Sequence, residues 1–290
     1  MLEATFYETY YFCNVIRNIL HDPFPFLRNL EGFYGDQAIF YLLEPFKKYS
    51  TFHEFIEFIV TDIYYETTYD VDLGHMKKTY YDLSTCSIDI EDIENIENIE
   101  PLKLPIELAF EFHKIEYESF KKHLNFYNKT FFDCDEDDIY DYMSDLMYSE
   151  AYEKLIDQTV KEIFYILFQN RELMLIFNEM ISSILASRLN EHIPEEVKPL
   201  FKKSGVLNRK TIPKWVKRAV YFRDRGCCVI CRKDLSGILN LESLENYDHM
   251  VPLARHGLND VSNIQLLCYE CNKKKLAGRA ITSNIYQSWY

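Results

Sequence analysis

The residues best able to do chemistry lie in one stretch, residues 227–275, CCVICRKDLSGILNLESLENYDHMVPLARHGLNDVSNIQLLCYECNKKK. Cys228-x-x-Cys231 and Cys268-x-x-Cys271 are two knuckles that can supply four thiolates to a tetrahedral zinc. Cys227 could replace Cys228, but the two-residue spacing favours Cys228. Thirty-six residues separate the knuckles, more than a simple zinc ribbon holds, so a small subdomain must lie between them. Inside that interval stand Asp248-His249, then a polar loop, then Asn263 ahead of an apolar strand from Ile264 to Leu267; Asn272 directly follows the last cysteine. Hydrolysis of a phosphodiester needs an activated water and a charge sink for the leaving oxygen. A histidine can take a proton near neutral pH, and an aspartate is a hard oxygen ligand for Mg²⁺ or a similar ion. His249 and Asp248 suit these roles. An isolated Asp-His pair is ordinarily a loop feature, and it is the zinc frame and the two asparagines that give this one its weight.

Taken together these motifs resemble the HNH endonuclease family in its zinc-stapled form. The resemblance rests on Cys228-Val-Ile-Cys231, Asp248-His249-Met250-Val251-Pro252, Asn263-Ile264-Gln265-Leu266-Leu267-Cys268 and Cys271-Asn272-Lys273-Lys274-Lys275, and on a preceding helix that ends RAVYFRDRG, Arg218 to Gly226. It covers under a third of the chain. It implies a small α+β domain of the ββα-metal type, with the histidine on the first strand and the last motif position on the helix. His249 would be the general base, with Asp248 and Asn272 ligating a catalytic Mg²⁺ or Mn²⁺, and Asn263 would orient His249 and fix the loop. Asparagine at the last position favours a hard ion, so the structural zinc of Cys228, Cys231, Cys268 and Cys271 is a separate site. The implied activity is metal-dependent hydrolysis of DNA, double-stranded before other forms, with RNA left open. The alternative is a non-catalytic zinc module that binds nucleic acid or bridges a complex, which would need none of Asp248, His249, Asn263 and Asn272. His256, in the loop ARHGLND, could contact phosphate or face water.

The charge distribution fits a nucleic-acid partner in one part of the chain only. The whole chain carries −14 with a pI near 5.1. Residues 198–290 hold 17 Lys and Arg against 7 Asp and Glu, whereas residues 1–197 hold 15 against 39. Asymmetry of this size marks a domain boundary, here placed between residues 1–197 and 198–290, within the proline-bearing linker IPEEVKPLFKKSGVLNRKTIPKW. Lys214, Lys217, Arg218, Arg223 and Arg225 recur at helix-like spacing before the first knuckle, and Lys273, Lys274 and Lys275 follow Asn272. Phosphate contact is their natural role, which positions nucleic acid without reading its sequence. A solvated basic face is the plainer reading of any one of them.

The elements that must position this site read as helices. Apolar residues at three- and four-residue spacing predict helices over Thr5–Leu20, Phe33–Tyr49, Phe52–Tyr69, Pro105–Asn128, Ile139–Gln169 and Glu172–Asn190, with Thr51 and Ser149 as caps and Pro105 at a helix start. The fold class is therefore a mainly helical N-terminal part plus the small α+β part. Residues 88–101, IDIEDIENIENIEP, repeat Ile and acid every three residues, which holds no helical face and reads as an acidic loop; a DNA-mimicking strip is the functional alternative. Apolar residues are 48% of the chain, Gly only 8 and Pro 9, which argues for a globular protein and against a loop-rich sandwich. The longest apolar run, Ile163 to Phe168, is far below the ~20 residues of a membrane span, and the N-terminus shows no secretory pattern. A soluble, cytoplasmic protein is the expectation. The acidic part carries no catalytic motif; it is expected to regulate the nuclease, bind a protein partner or oligomerise, as in a restriction or anti-phage effector.

Overall fold

A computed structural model describes residues 7–86, 102–189, 193–202, 205–236, 246–275 and 278–285. The triplet repeat of residues 88–101 lies outside them. Ahead of the basic segment come α1 (Tyr7–His21), α2 (Leu27–Tyr34), α3 (Ala38–Tyr41), α4 (Thr51–Tyr69), α5 (Leu73–Cys86), α6 (Pro105–Phe112), α7 (Phe120–Phe126), α8 (Glu136–Met147), α9 (Glu150–Leu167) and α10 (Arg171–Arg188). Then follow α11 (Lys214–Arg223), β1 (Tyr247–His249), β2 (Ile264–Leu266) and α12 (Tyr269–Lys275). The mainly helical first part and the small α+β end agree with the sequence reading.

Three of the long predicted helices are shorter pieces, each for a local reason. Phe33–Tyr49 is interrupted where Asp36 and Gln37 adopt left-handed φ of 43° and 72°, a conformation no helix continues through. Pro105–Asn128 breaks after α6 at Lys114, φ 55°. There the Glu107 carboxylate accepts both the Leu104 N–H at 2.8 Å and the Phe120 N–H at 2.9 Å, tying the starts of α6 and α7 together. Ile139–Gln169 divides at Ser149, whose Oγ accepts the Tyr152 N–H at 3.1 Å and caps α9. Thr51, by contrast, is the first residue of α4 and not its cap. Its hydroxyl donates to Leu42 O at 2.9 Å, and Ser50 precedes the helix with its Oγ accepting the His53 N–H.

The chain divides into two compact units, Met1–Glu8 with Glu57–Lys161, and Thr9–Ile56 with Glu162–Tyr290. In the first unit the core includes Tyr80, Leu104, Ile106, Phe110, Phe120, Phe131, Tyr142 and Met143, with the Tyr142 hydroxyl donating to Glu118 O at 2.7 Å. In the second, the Phe177 ring meets those of Phe52 and Phe55 at 4.9 and 5.3 Å, and α10 buries Leu173, Met174, Phe177, Ile181 and Leu185.

This division differs from the boundary that charge suggests near residue 197. The basic segment shares its unit with α1 from Thr9 onward, α2, α3, the start of α4, the end of α9 and all of α10. Phe46 N–H donates to Asn259 O at 2.8 Å, Thr51 N–H to Asp260 Oδ2 at 3.0 Å, and Asn178 Nδ2 to Ser262 Oγ at 3.0 Å. The physical reason is size: two three-residue strands and a seven-residue helix cannot bury Leu258, Val261, Ile264 and Leu266 on their own. Nor are residues 193–202 and 205–213 a loose connector. They contain a 3-10 turn at Lys198–Leu200, an antiparallel bridge between Phe201 and Leu207, and buried Leu207 and Ile212. Charge redistributes accordingly: the first unit has 9 Lys and Arg against 28 Asp and Glu, the second 23 against 18. No helix among the described residues is long and apolar enough to cross a membrane.

Candidate functional site

The C-terminus of α11 starts the site. Arg225 and Gly226 take φ of 55° and 64° and turn the chain into the first knuckle. Cys228 N–H donates to Lys233 O at 3.0 Å and Arg232 N–H to Cys228 O at 2.8 Å, closing a tight turn with Arg232 at φ 65°. Val229 N–H donates to Leu266 O at 3.0 Å, pinning the knuckle to β2; the chain then runs from β2 through Cys268 to Cys271 in α12. The four Sγ atoms of Cys228, Cys231, Cys268 and Cys271 all lie within 4.8 Å of one another, with Cys231 and Cys268 at 3.6 Å. Sulfurs bonded tetrahedrally at ~2.3 Å to zinc stand about 3.8 Å apart, so the set fits that ion. Cys227 is not among the four; its backbone bridges to Asp234. Burial pushes the Cys268 thiol up to about 11, so loading the ion must release protons.

β1 and β2 pair antiparallel, with Tyr247 opposite Leu266, Asp248 opposite Gln265 and His249 opposite Ile264. Strand alternation therefore puts His249 and Asp248 on opposite faces. His249 is 1% exposed. Its Nε2 lies 3.3 Å from Asn259 Oδ1. The orientation of the Asn259 amide is set independently: Nδ2 donates to Asn208 O at 2.9 Å, and Oδ1 accepts the Lys210 N–H at 3.4 Å. Oδ1 can only accept, so Nε2 carries the ring proton and Nδ1 keeps its lone pair. Nδ1 has no hydrogen-bond partner among the described residues. Burial first, then the charge of Arg209 and, least, that of Lys275 lower the pKa of His249 to about 3, against the opposing effect of the Asn259 hydrogen bond. The ring is neutral at pH 7.

Among the described residues the Asn263 side chain bonds to the loop backbone and not to the imidazole. Its Oδ1 accepts the Val251 N–H at 2.8 Å, and its Nδ2 donates to Val251 O at 3.0 Å and Leu258 O at 2.9 Å. These bonds tie the loop together, while His249 Nε2 faces Asn259. Asn259 escaped the sequence reading because its partners come from residues 208–210, taken there as linker. The loop closes so tightly that a Cβ at Gly257 would lie 2.0 Å from Val251 O. His256 is half-buried at φ 62° in the same loop.

Asp248, on the other face, ion-pairs with Lys275 Nζ at 2.7 Å. The same ammonium donates to His249 O at 2.6 Å, cross-linking β1 to α12. Asn272 precedes Lys275 by three residues, which places the two on neighbouring positions of one helix face. Carboxylate and amide oxygens are the donors a hard divalent ion takes, and both residues are half-buried, so Asp248 and Asn272 are chemically suited to hold one. Among the predicted phosphate contacts, Lys214, Arg218, Lys273 and Lys274 are exposed. Lys217, Arg223 and Lys275 are buried and do not form an open basic face. Arg223 donates from Nε and Nη2 to Asp224 at 2.8 and 3.0 Å and from Nη2 to Ile264 O at 2.6 Å, while Asp224 Oδ2 accepts the Leu266 N–H at 2.9 Å. That pair clamps β2 to the end of α11. Lys217 stands over the Tyr247 ring, 5.9 Å from its centroid.

No curated protein and no solved structure matches the chain. Residues 228–278, from the first cysteine knuckle through α12, match the family model of the HNH endonuclease, and this two-strand, one-helix segment with its four-cysteine cluster is an HNH domain.

Proposed function

We propose that the protein is a metal-dependent endonuclease that hydrolyses DNA phosphodiester bonds, with His249 as general base. The observation that carries this reading is the Asn259 amide, held by Asn208 and Lys210, which fixes the proton of His249 on Nε2 and leaves Nδ1 as the basic atom. A neutral imidazole with an uncommitted lone pair can take a proton from an attacking water. Because burial makes His249 a weak base, this reading needs the phosphate charge to favour the imidazolium and the metal charge to acidify the water. Mg²⁺ or Mn²⁺, held by Asp248 and Asn272, would supply charge stabilisation at the leaving oxygen. Lys275 positions the Asp248 carboxylate against α12, and Lys214, Arg218, Lys273 and Lys274 would meet backbone phosphates. A nuclease joined to a strongly acidic helical unit suits a restriction or anti-phage effector, in which that unit restrains cleavage until a partner engages it.

Supercoiled plasmid incubated with Mg²⁺ or Mn²⁺ tests the reading. Wild type should nick or linearise it, and His249→Ala should not, while keeping its zinc content and DNA affinity. A second reading, a non-catalytic zinc module that binds nucleic acid, draws on the ion pair of Asp248 with Lys275 and on the burial of His249. Tight DNA binding by the wild type without cleavage under either metal would favour it.

A further inference from the structure

The end of α12, residues 278–281 and the first knuckle line an open cleft of about 550 Å³. Ile230, between Cys228 and Cys231, and Ile281 give it apolar walls, while Lys274 and Arg279 bring two exposed cations to it. None of the described residues that line it is acidic. Ile230 is 37% exposed, and a Cβ added at Gly278, another lining residue, would meet nothing within 4 Å, so the space there is open. Lys275 lines the same cleft, and its ammonium ion-pairs with Asp248 at 2.7 Å. The cleft therefore adjoins the residues proposed to hold the divalent ion. Cys271 lines it as well. Four thiolates around one Zn²⁺ leave net negative charge, which repels a phosphate near Cys271 and leaves the two cations as its place. The volume is that of a site for a small organic molecule the size of a nucleoside.

We infer that this cleft receives one unpaired nucleobase of the DNA strand at the HNH site, packed on Ile230 and Ile281, with the neighbouring phosphates at Lys274 and Arg279. The inference rests on the nuclease reading above and adds a substrate class to it. Apolar side chains can hold the flat faces of a base that has left its stack, and every base has such a face, so the contact is tolerant of sequence. A base still paired inside a duplex cannot enter, and unpairing it costs free energy that a bulged, mismatched or single-stranded nucleotide has already lost. The favoured substrate is therefore DNA with an unpaired nucleotide at the site.

The test uses the full-length, zinc-loaded protein without added Mg²⁺ or Mn²⁺, so that binding is read apart from cleavage. Fluorescence anisotropy compares a short, fully paired DNA duplex with the same duplex carrying one unpaired nucleotide. Wild type should bind the second about tenfold more tightly, the scale of one base held on protein side chains. Ile230→Ser and Ile281→Ser should each lose most of that preference while keeping zinc and binding the paired duplex as wild type does. Arg279→Gln should weaken both DNAs alike, as a phosphate contact does. Ile230 is the more exposed of the two isoleucines, so its variant alone decides if Ile281→Ser loses zinc. Equal affinity of wild type for the two DNAs overturns the proposal, and with metal-dependent plasmid cleavage intact it leaves the nuclease reading standing. Binding to neither DNA overturns both. A preference undiminished in zinc-loaded Ile230→Ser overturns the base site as well.

Discussion

With Nδ2 donating to Asn208 O and Oδ1 accepting the Lys210 N–H, Asn259 presents an acceptor to His249, which favours the ring proton on Nε2. Replacing Asn259 with Ala should lower the plasmid cleavage rate on the order of 10- to 100-fold, in the range of outer-shell substitutions, while zinc content stays at the wild-type level; an unchanged rate would remove Asn259 from the machinery. Burial of His249 also has a stability consequence. Unfolded, a histidine takes its proton near pH ~6.5; folded, His249 does so only near about 3. The folded pKa is depressed, so between those values the unfolded chain binds the extra proton and stability falls as pH drops, by on the order of 1 kcal/mol per pH unit. Urea unfolding between pH 7 and pH 5 should show a steeper loss for wild type than for His249→Phe, and equal slopes would contradict the buried neutral ring. Asp248, His249, Asn263 and Asn272 can be singled out as candidates in the sequence because each lies in a contiguous motif. Asn259 cannot, since its contacts exist only once the loop and residues 208–210 have closed on each other.

Among the elements, β2 is the hub: the first knuckle bonds to Leu266 O, the Arg223–Asp224 pair bonds to Ile264 O and Leu266 N, and the chain continues into the second knuckle. Cys231→Ser or Cys268→Ser should therefore lose zinc and unfold this segment locally, since metal binding and folding are linked in so small a unit. Metal analysis should give one zinc per wild-type chain and much less in either variant; full occupancy after loss of Cys268 would refute the ligand set. The 249–263 loop depends instead on Gly257. Its Ala variant must displace Val251 O from 2.0 Å, costing on the order of 3 kcal/mol. Helix existence was readable from apolar spacing, but helix ends were not. The breaks sit at Asp36, Gln37 and Lys114, non-glycine residues in the left-handed region, which no hydrophobic pattern signals.

At the scale of the whole molecule, the sharp change of charge near residue 197 was read as a boundary, yet packing joins the HNH domain to helices from the first part of the chain. Asp260 shows the join in one side chain: Oδ1 accepts from Ser262 N and Oγ at 2.8 and 2.7 Å, and Oδ2 from Thr51 N at 3.0 Å, all while 2% exposed. Asp260→Ala would leave those donors buried and unmatched, and should destabilise the chain by about 1–3 kcal/mol in denaturant unfolding. The acidic excess stays with the unit formed around residues 57–161, consistent with the proposed restraint on DNA binding, which salt would relax over a screening length of about 8 Å. The central claim is that burial keeps His249 neutral, with its proton held on Nε2 by Asn259, as the base for cleavage, and the pH profile of plasmid cleavage at saturating Mg²⁺ tests it most directly. Wild type should keep its activity as pH falls through 6.5, because His249 protonates only near about 3. In Asn259→Asp, the added carboxylate favours the imidazolium and should move the acid limb upward, and His249→Ala should be inactive throughout. Wild-type rates in His249→Ala, or one unshifted acid limb shared by wild type and Asn259→Asp, would contradict it.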